Sequence, residues 1–187
     1  MFFARVSLLI AVFFFFGCSS LTAEQKEIER DSINEMANRT IEALIEDEPI
    51  IRQQLNDALA YGVGNMKVTK VPVIGVGGGE GVLVIKEDDD NLYFTIRRFD
   101  LGAGYGARSY KALIIINSKE IVDDWRDGEW KFEIGAEATA GSAAAERGVD
   151  DLKGSQDFIV HILTDVGASA TVTGRVVRVK INEELTE

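Results

Sequence analysis

The chain predicts an α+β fold in which N-terminal helices are followed by a mostly antiparallel, strongly curved, glycine-rich β-sheet or barrel. Three observations predict it. Apolar residues recur at steps of three and four through residues 24–48 and again through 49–61; after Gly62 the period shortens toward two; and glycines gather inside runs of strand-forming residues, as in VIGVGGGEGVLVI at 73–85. Helices first and a long set of strands afterwards is the order of an α+β domain, not of an alternating one.

In residues 24–48 the apolar positions Ile28, Ile33, Met36, Ala37, Ile41, Leu44 and Ile45 are separated by charged residues and form one stripe of an amphipathic helix. Asp47-Glu48-Pro49 interrupts it, because proline disfavours a helical residue before it and suits the first turn of a new helix. A second helix is expected over 49–61, with Ile51, Leu55, Ala58 and Leu59 on one face and Gly62 placed to end it. Both stripes read as core packing, since their polar faces are acidic and a membrane-lying helix carries a basic one.

Residues 81–86 and 92–98 read as a hairpin with an acidic tip at 87–91. The tip lacks the spaced ligands of a calcium loop and reads as a solvated turn. Further strands are expected at 111–116, 130–140, 157–163 and 168–181, with a capped short helix over 117–125 and a loop at 141–156.

The first 17 residues read as a secretory signal, with Arg5 ahead of an apolar run at 6–16 that is too short to span a bilayer. Cys18 is the only cysteine, and Phe15-Phe16-Gly17-Cys18 resembles a bacterial lipobox, with phenylalanines in place of the usual leucine and small residue. That resemblance implies acylation of Cys18 and, with Ser19 following, an outer-membrane lipoprotein facing the periplasm of a bacterial cell envelope. Each buried methylene of an acyl chain contributes about 0.8 kcal/mol, so several chains hold a domain on a membrane unaided. Three segments are therefore expected: a signal peptide at 1–17, a lipidated N-terminus and amphipathic helix at 18–48, and a sheet domain at 49–187.

Without Arg5 the 20 Lys and Arg become 19 against 31 acids, a formal charge of −12. An acidic chain of this kind has no footprint for nucleic acid, whose binding rests on Lys and Arg displacing counterions.

The glycines read as a sheet device. A dinucleotide fingerprint places its glycines between a strand and a helix, whereas Gly81 is followed by Val82-Leu83-Val84-Ile85, another strand pattern. Within strands glycine permits bulges, coiling and close backbone contact.

Several glycine clusters in their joint order are similar to the SYLF domain, a family of lipid-binding modules. The carriers are Ala60-Tyr61-Gly62-Val63, Gly75-Val76-Gly77-Gly78-Gly79-Glu80-Gly81-Val82, Leu101-Gly102-Ala103-Gly104-Tyr105-Gly106-Ala107, Trp130-Lys131-Phe132-Glu133-Ile134-Gly135-Ala136, the apolar run at 112–116 and the segment 163–174. Together they span about residues 50–175, so that 49–187 resembles a SYLF-like domain. The resemblance implies lipid binding; the basic helical lead-in of eukaryotic members is missing, and phosphoinositide and actin binding are not implied.

No constellation calls for catalysis. His161 is the only histidine and lies in the apolar strand pattern of 158–163, where it reads as a sheet-face residue; no histidine-pair metal site and no cofactor are expected. The cations Arg97, Arg98, Arg108 and Lys111 interleave with Phe99, Tyr105 and Tyr110. Arginine pairs with phosphate in two-pronged fashion and tyrosine suits wet-apolar boundaries, so these four are the expected lipid head-group residues, beside an alternative as ordinary solvated cross-strand cations. The expectation is a non-enzymatic envelope lipoprotein that binds membrane lipid; the alternative is a tethered interaction module whose acidic helices meet a basic envelope protein.

Overall fold

The computed structural model describes residues 20–87, 90–128, 131–141 and 157–186, with backbone alone at 90, 131–141 and 166–176. The expected leader, Cys18, hairpin-tip residues 88–89 and residues 142–156 of the expected loop lie outside the described residues. In chain order the elements are α1 (Ala23–Asp47), α2 (Ile50–Asp57), β1 (Ala60–Lys70), β2 (Ile74–Ile85), β3 (Asp90–Leu101), β4 (Gly104–Ile116), α3 (Lys119–Arg126), β5 (Lys131–Gly141), β6 (Phe158–Ile181) and α4 (Glu183–Thr186). This is the expected α+β order, and every strand pairing is antiparallel.

The six strands run β3-β2-β1-β4-β6-β5, with an additional pairing of β3 to β6. β6 causes the curl. Its residues 158–171 pair with β4 and its residues 174–181 pair with β3, so both ends of the β3-β2-β1-β4 portion are drawn toward one 24-residue strand. The sheet nevertheless stays a curled sheet and does not become the closed barrel allowed by the sequence reading. β5 pairs with β6 alone, which leaves its outer edge without a strand partner among the described residues.

The strands outrun the expected ones: β2 begins at Ile74 and not at 81, β3 reaches Leu101 and not 98, and β4 begins at Gly104 and not at 111. Two junctions also differ. The second helix ends at Asp57, not at Tyr61, because Ala60 to Val63 belong to β1, where Ala60 and Val63 are fully buried and the Leu59 N–H donates to the Ile116 carbonyl. The strands expected at 157–163 and 168–181 are one strand, and a register shift beside Ser109 and Tyr110 absorbs the irregularity between them.

Alternation along the strands builds two cores. One face of the sheet encloses Met66, Leu83, Phe94, Ile96, Ile116 and Val179, and α3 closes its base with Val122 and Trp125. The Phe94 and Trp125 rings meet edge to face at 4.9 Å, a preferred aromatic geometry. Gly128 then ends α3 with a φ of 77° that side chains rarely adopt.

The other face packs Val63, Val82, Tyr93, Leu113 and Ile115 against Ile33, Ala37 and Leu44 of α1, Ile51 of α2 and Leu185 of α4. Helix and sheet therefore share one core. Thr22 caps α1 reciprocally with Gln25: the Gln25 N–H donates to Thr22 Oγ1 at 3.2 Å, and the Thr22 N–H donates to Gln25 Oε1 at 2.9 Å. Among the described residues no helix is long and apolar enough to cross a membrane.

Candidate functional site

β2 presents glycine at four alternate positions of one face, Gly75, Gly77, Gly79 and Gly81. They lie in register with Asp100, Arg98, Ile96 and Phe94 of β3 on one side, and with Lys70, Val68, Met66 and Gly64 of β1 on the other. A Cβ at Gly75 would sit 2.9 Å from Asp100 Cβ, one at Gly81 2.5 Å from the Phe94 ring, and one at Gly79 would overlap the Asn65 carbonyl oxygen. The stripe removes side chains from β2 so that large ones from β3 fill the curl. Beyond Gly81 the strand continues to Ile85, so the glycines do not lead into a helix N-terminus that would hold a pyrophosphate.

Toward the upper end of the curl the enclosed side chains become polar. Arg98, 4% exposed, donates from Nε and Nη2 to the two carboxylate oxygens of Asp100, each at 2.7 Å, and from Nη1 to Tyr110 Oη at 2.7 Å. The Tyr110 hydroxyl in turn donates to Met66 Sδ at 2.9 Å. Burial alone would lower the Arg98 pKa, but the hydrogen bonds and charges of Asp100 and Tyr110 outweigh it and hold the guanidinium above its ordinary value. This cluster is an internal brace that stays charged.

Past the cluster lies the tip of the sheet. The Val71 and Ile74 backbones exchange hydrogen bonds of 3.0 and 3.2 Å around Pro72 and Val73, while Gly102 N–H donates to the Val73 carbonyl at 3.0 Å and Gly104 N–H to the Pro72 carbonyl at 3.4 Å. The β1–β2 turn and the β3–β4 corner are thereby tied together. Gly102 makes the corner possible with a φ of 141°, which a side chain would strain.

The tip is apolar on its outside. Val71, Val73 and Ile74 come from the turn, and Val76, Phe99 and Leu101 project from the facing strands, where Val76 lies opposite Phe99 and Ile74 opposite Leu101. Tyr105 is 71% exposed beside them. Lower on the same sheet face equivalent positions are covered by helices; at the tip, among the described residues, they are exposed.

The four cations expected at a lipid head group do not share a surface. Arg97 is exposed on the outer face, whereas Arg98 points into the curl and pairs with Asp100. Arg108 is half-buried, with its guanidinium over the Tyr110 ring at 5.4 Å, and Lys111 pairs with Asp165 at 2.5 Å. The cause is strand geometry: neighbouring residues point to opposite faces, so Arg97 and Arg98 cannot serve one surface. Cys18 lies outside the described residues.

His161 is buried at the joint of α1, α2 and β6. Its Nε2 lies 2.8 Å from Gln54 Oε1, and Nδ1 lies 3.6 Å from Glu48 Oε2. The exposed apolar tip has no signal in the sequence, where the glycine clusters at 73–85 and 101–107 stand apart; only strand register brings their apolar residues together.

No family model matches this chain, and no curated protein matches it. Among solved structures, the virulence-associated protein VapD from the intracellular pathogen Rhodococcus equi is similar at a TM-score of 0.31 and 14% identity, covering 66% of this chain and 96% of that one. A likeness at that level carries no weight for fold or function.

Proposed function

We propose that this chain is a non-enzymatic lipoprotein of the bacterial outer membrane, facing the periplasm, whose SYLF-like domain binds lipid at a bilayer surface. The single observation behind this reading is the bare tip. Seven large apolar side chains, Tyr105 among them, stand exposed on the tied turns and the strand ends beside them, and large apolar patches on isolated soluble domains mark surfaces that meet something. An aliphatic tip with an exposed tyrosine suits the boundary between head groups and acyl chains.

The test is flotation of residues 20–187, which carry every described element and lack the acylation site, with phosphatidylcholine vesicles. Co-flotation that disappears in the variant V73D/L101D supports the proposal; a chain that remains with the free protein, or a variant that floats equally well, rejects it.

The exposed acids of α1, including Glu24, Glu27, Asp31, Glu35 and Glu42, favour a second reading as a tethered module that contacts a basic envelope protein. A partner retained through these acids by a protein that ignores vesicles would select it.

A further inference from the structure

One row behind the apolar tip the outer face turns basic. Strand register aligns Ser109, Lys67, Gly78, Arg97, Arg178 and Lys131 across β4, β1, β2, β3, β6 and β5. Lys67, Arg97 and Arg178 are exposed, and among the described residues none of the three makes a side-chain hydrogen bond or ion pair.

Arg97 lies directly opposite Arg178, although like charges in directly opposed positions destabilise a sheet. Between Lys67 and Arg97 stands Gly78, where a Cβ would meet only one atom within 4 Å, the Ile96 carbonyl oxygen at 3.7 Å; the belt is notched at that point. Glu80, the next outward residue of β2, stands one row farther from the tip.

A chain with 31 acids and 20 Lys and Arg thus places three unpaired cations together, beside its bare apolar patch. Surface repulsion of that kind is relieved by an anion. The order along the outer face, apolar end first and cations about 7 Å behind it at two residues' rise, matches the order of acyl chains and phosphates in a bilayer leaflet.

We infer that Lys67, Arg97 and Arg178 form a head-group collar that selects anionic phospholipids once the tip has entered the leaflet. This rests on the lipid-binding reading above and adds the lipid class to it. The collar holds phosphate through charge-assisted hydrogen bonds from two guanidiniums and an ammonium. The acidic helices cover the lower part of the face, away from the charged leaflet.

The experiment compares flotation of residues 20–187 on vesicles of phosphatidylcholine alone and of phosphatidylcholine and phosphatidylglycerol in equal parts, at low and high salt. The proteins are the unsubstituted chain, the collar variant K67Q/R97Q/R178Q and the tip variant V73D/L101D, each checked for an unchanged thermal melt. Because the collar residues are exposed and unpaired, their replacement leaves folding intact.

The expected result is preference of the unsubstituted chain for anionic vesicles, a loss on the order of a hundredfold on those vesicles in the collar variant, and unchanged binding of that variant to phosphatidylcholine. High salt reproduces the collar loss. A collar variant that keeps its anionic preference, or an unsubstituted chain that binds both vesicles equally, overturns the collar while leaving lipid binding intact. Failure of the unsubstituted chain to bind either vesicle overturns both.

Discussion

Arg98 and Asp100 stand two residues apart on the covered face of β3 and close a two-pronged ion pair, with side chains 1% and 2% exposed. Taking two charges out of water is costly, and the pair persists because Tyr110 adds a third hydrogen bond. Removing one partner leaves the other charge buried. Arg98→Leu or Asp100→Ala is expected to lower stability by about 3–5 kcal/mol, and the double variant by clearly less than the sum of the two. Urea unfolding of the four proteins measures this, and additive losses would show that the residues act independently.

Adjacent glycines on β2 are expected to behave in opposite ways. Gly79→Ala drives a Cβ into the Asn65 carbonyl of the paired strand, so β1 and β2 must separate, at a cost of at least about 1–3 kcal/mol. Gly78→Ala points outward, where its Cβ makes only an ordinary contact with the Ile96 carbonyl oxygen at 3.7 Å, and stays within about 0.5 kcal/mol of the unsubstituted chain. Thermal melts of the two variants compare them; equal losses would mean that the face assignment of β2 is wrong.

Trp125 closes the base of the curl at 1% exposure, against Phe94. Trp125→Ala is expected to cost about 3–5 kcal/mol, and Trp125→Phe less because the ring contact survives in part. Denaturant midpoints report both. A mild Trp125→Ala phenotype would show that the inner core does not depend on α3.

Burial raises the Tyr61 pKa above its ordinary value of 10.0. The sign follows from linkage: the phenol's contribution is fully present below pH 10.0, and it is lost as pH rises through the higher folded value, because the unfolded chain releases its proton first. The unsubstituted protein is therefore expected to lose stability above pH 10 more steeply than Tyr61→Phe, as read from melting temperatures across the alkaline range. Parallel curves would count against it.

Much of the fold was legible because it rests on periodicity. The stripe Ile33, Ala37 and Leu44 that announces α1 is the stripe it buries, whereas the reciprocal cap of Thr22 and Gln25 emerges only from the structure. The turn from helix to strand was harder to place. Ala58 and Ala60 fit either pattern, and the choice was made by Ile116, whose carbonyl takes the Leu59 N–H from far along the chain.

The site was less legible for a similar reason. Arg97 and Arg98 look alike in sequence, and strand parity separates them into a surface cation and a buried one. Lys67 and Arg178 gave no local signal at all, since they are 111 positions apart and meet Arg97 only through the registers of β1, β2 and β6.

The partner of both β3 and β4 along the edges they turn away from β2 and β1 is the last strand of the chain. A ribosome releases residues 90–116 well before 158–181, so each nascent molecule carries two raw strand edges until its final segment emerges. Both edges thus wait for β6 before they are satisfied, and a chain stopped short of β6 is expected to aggregate instead of folding as a smaller domain.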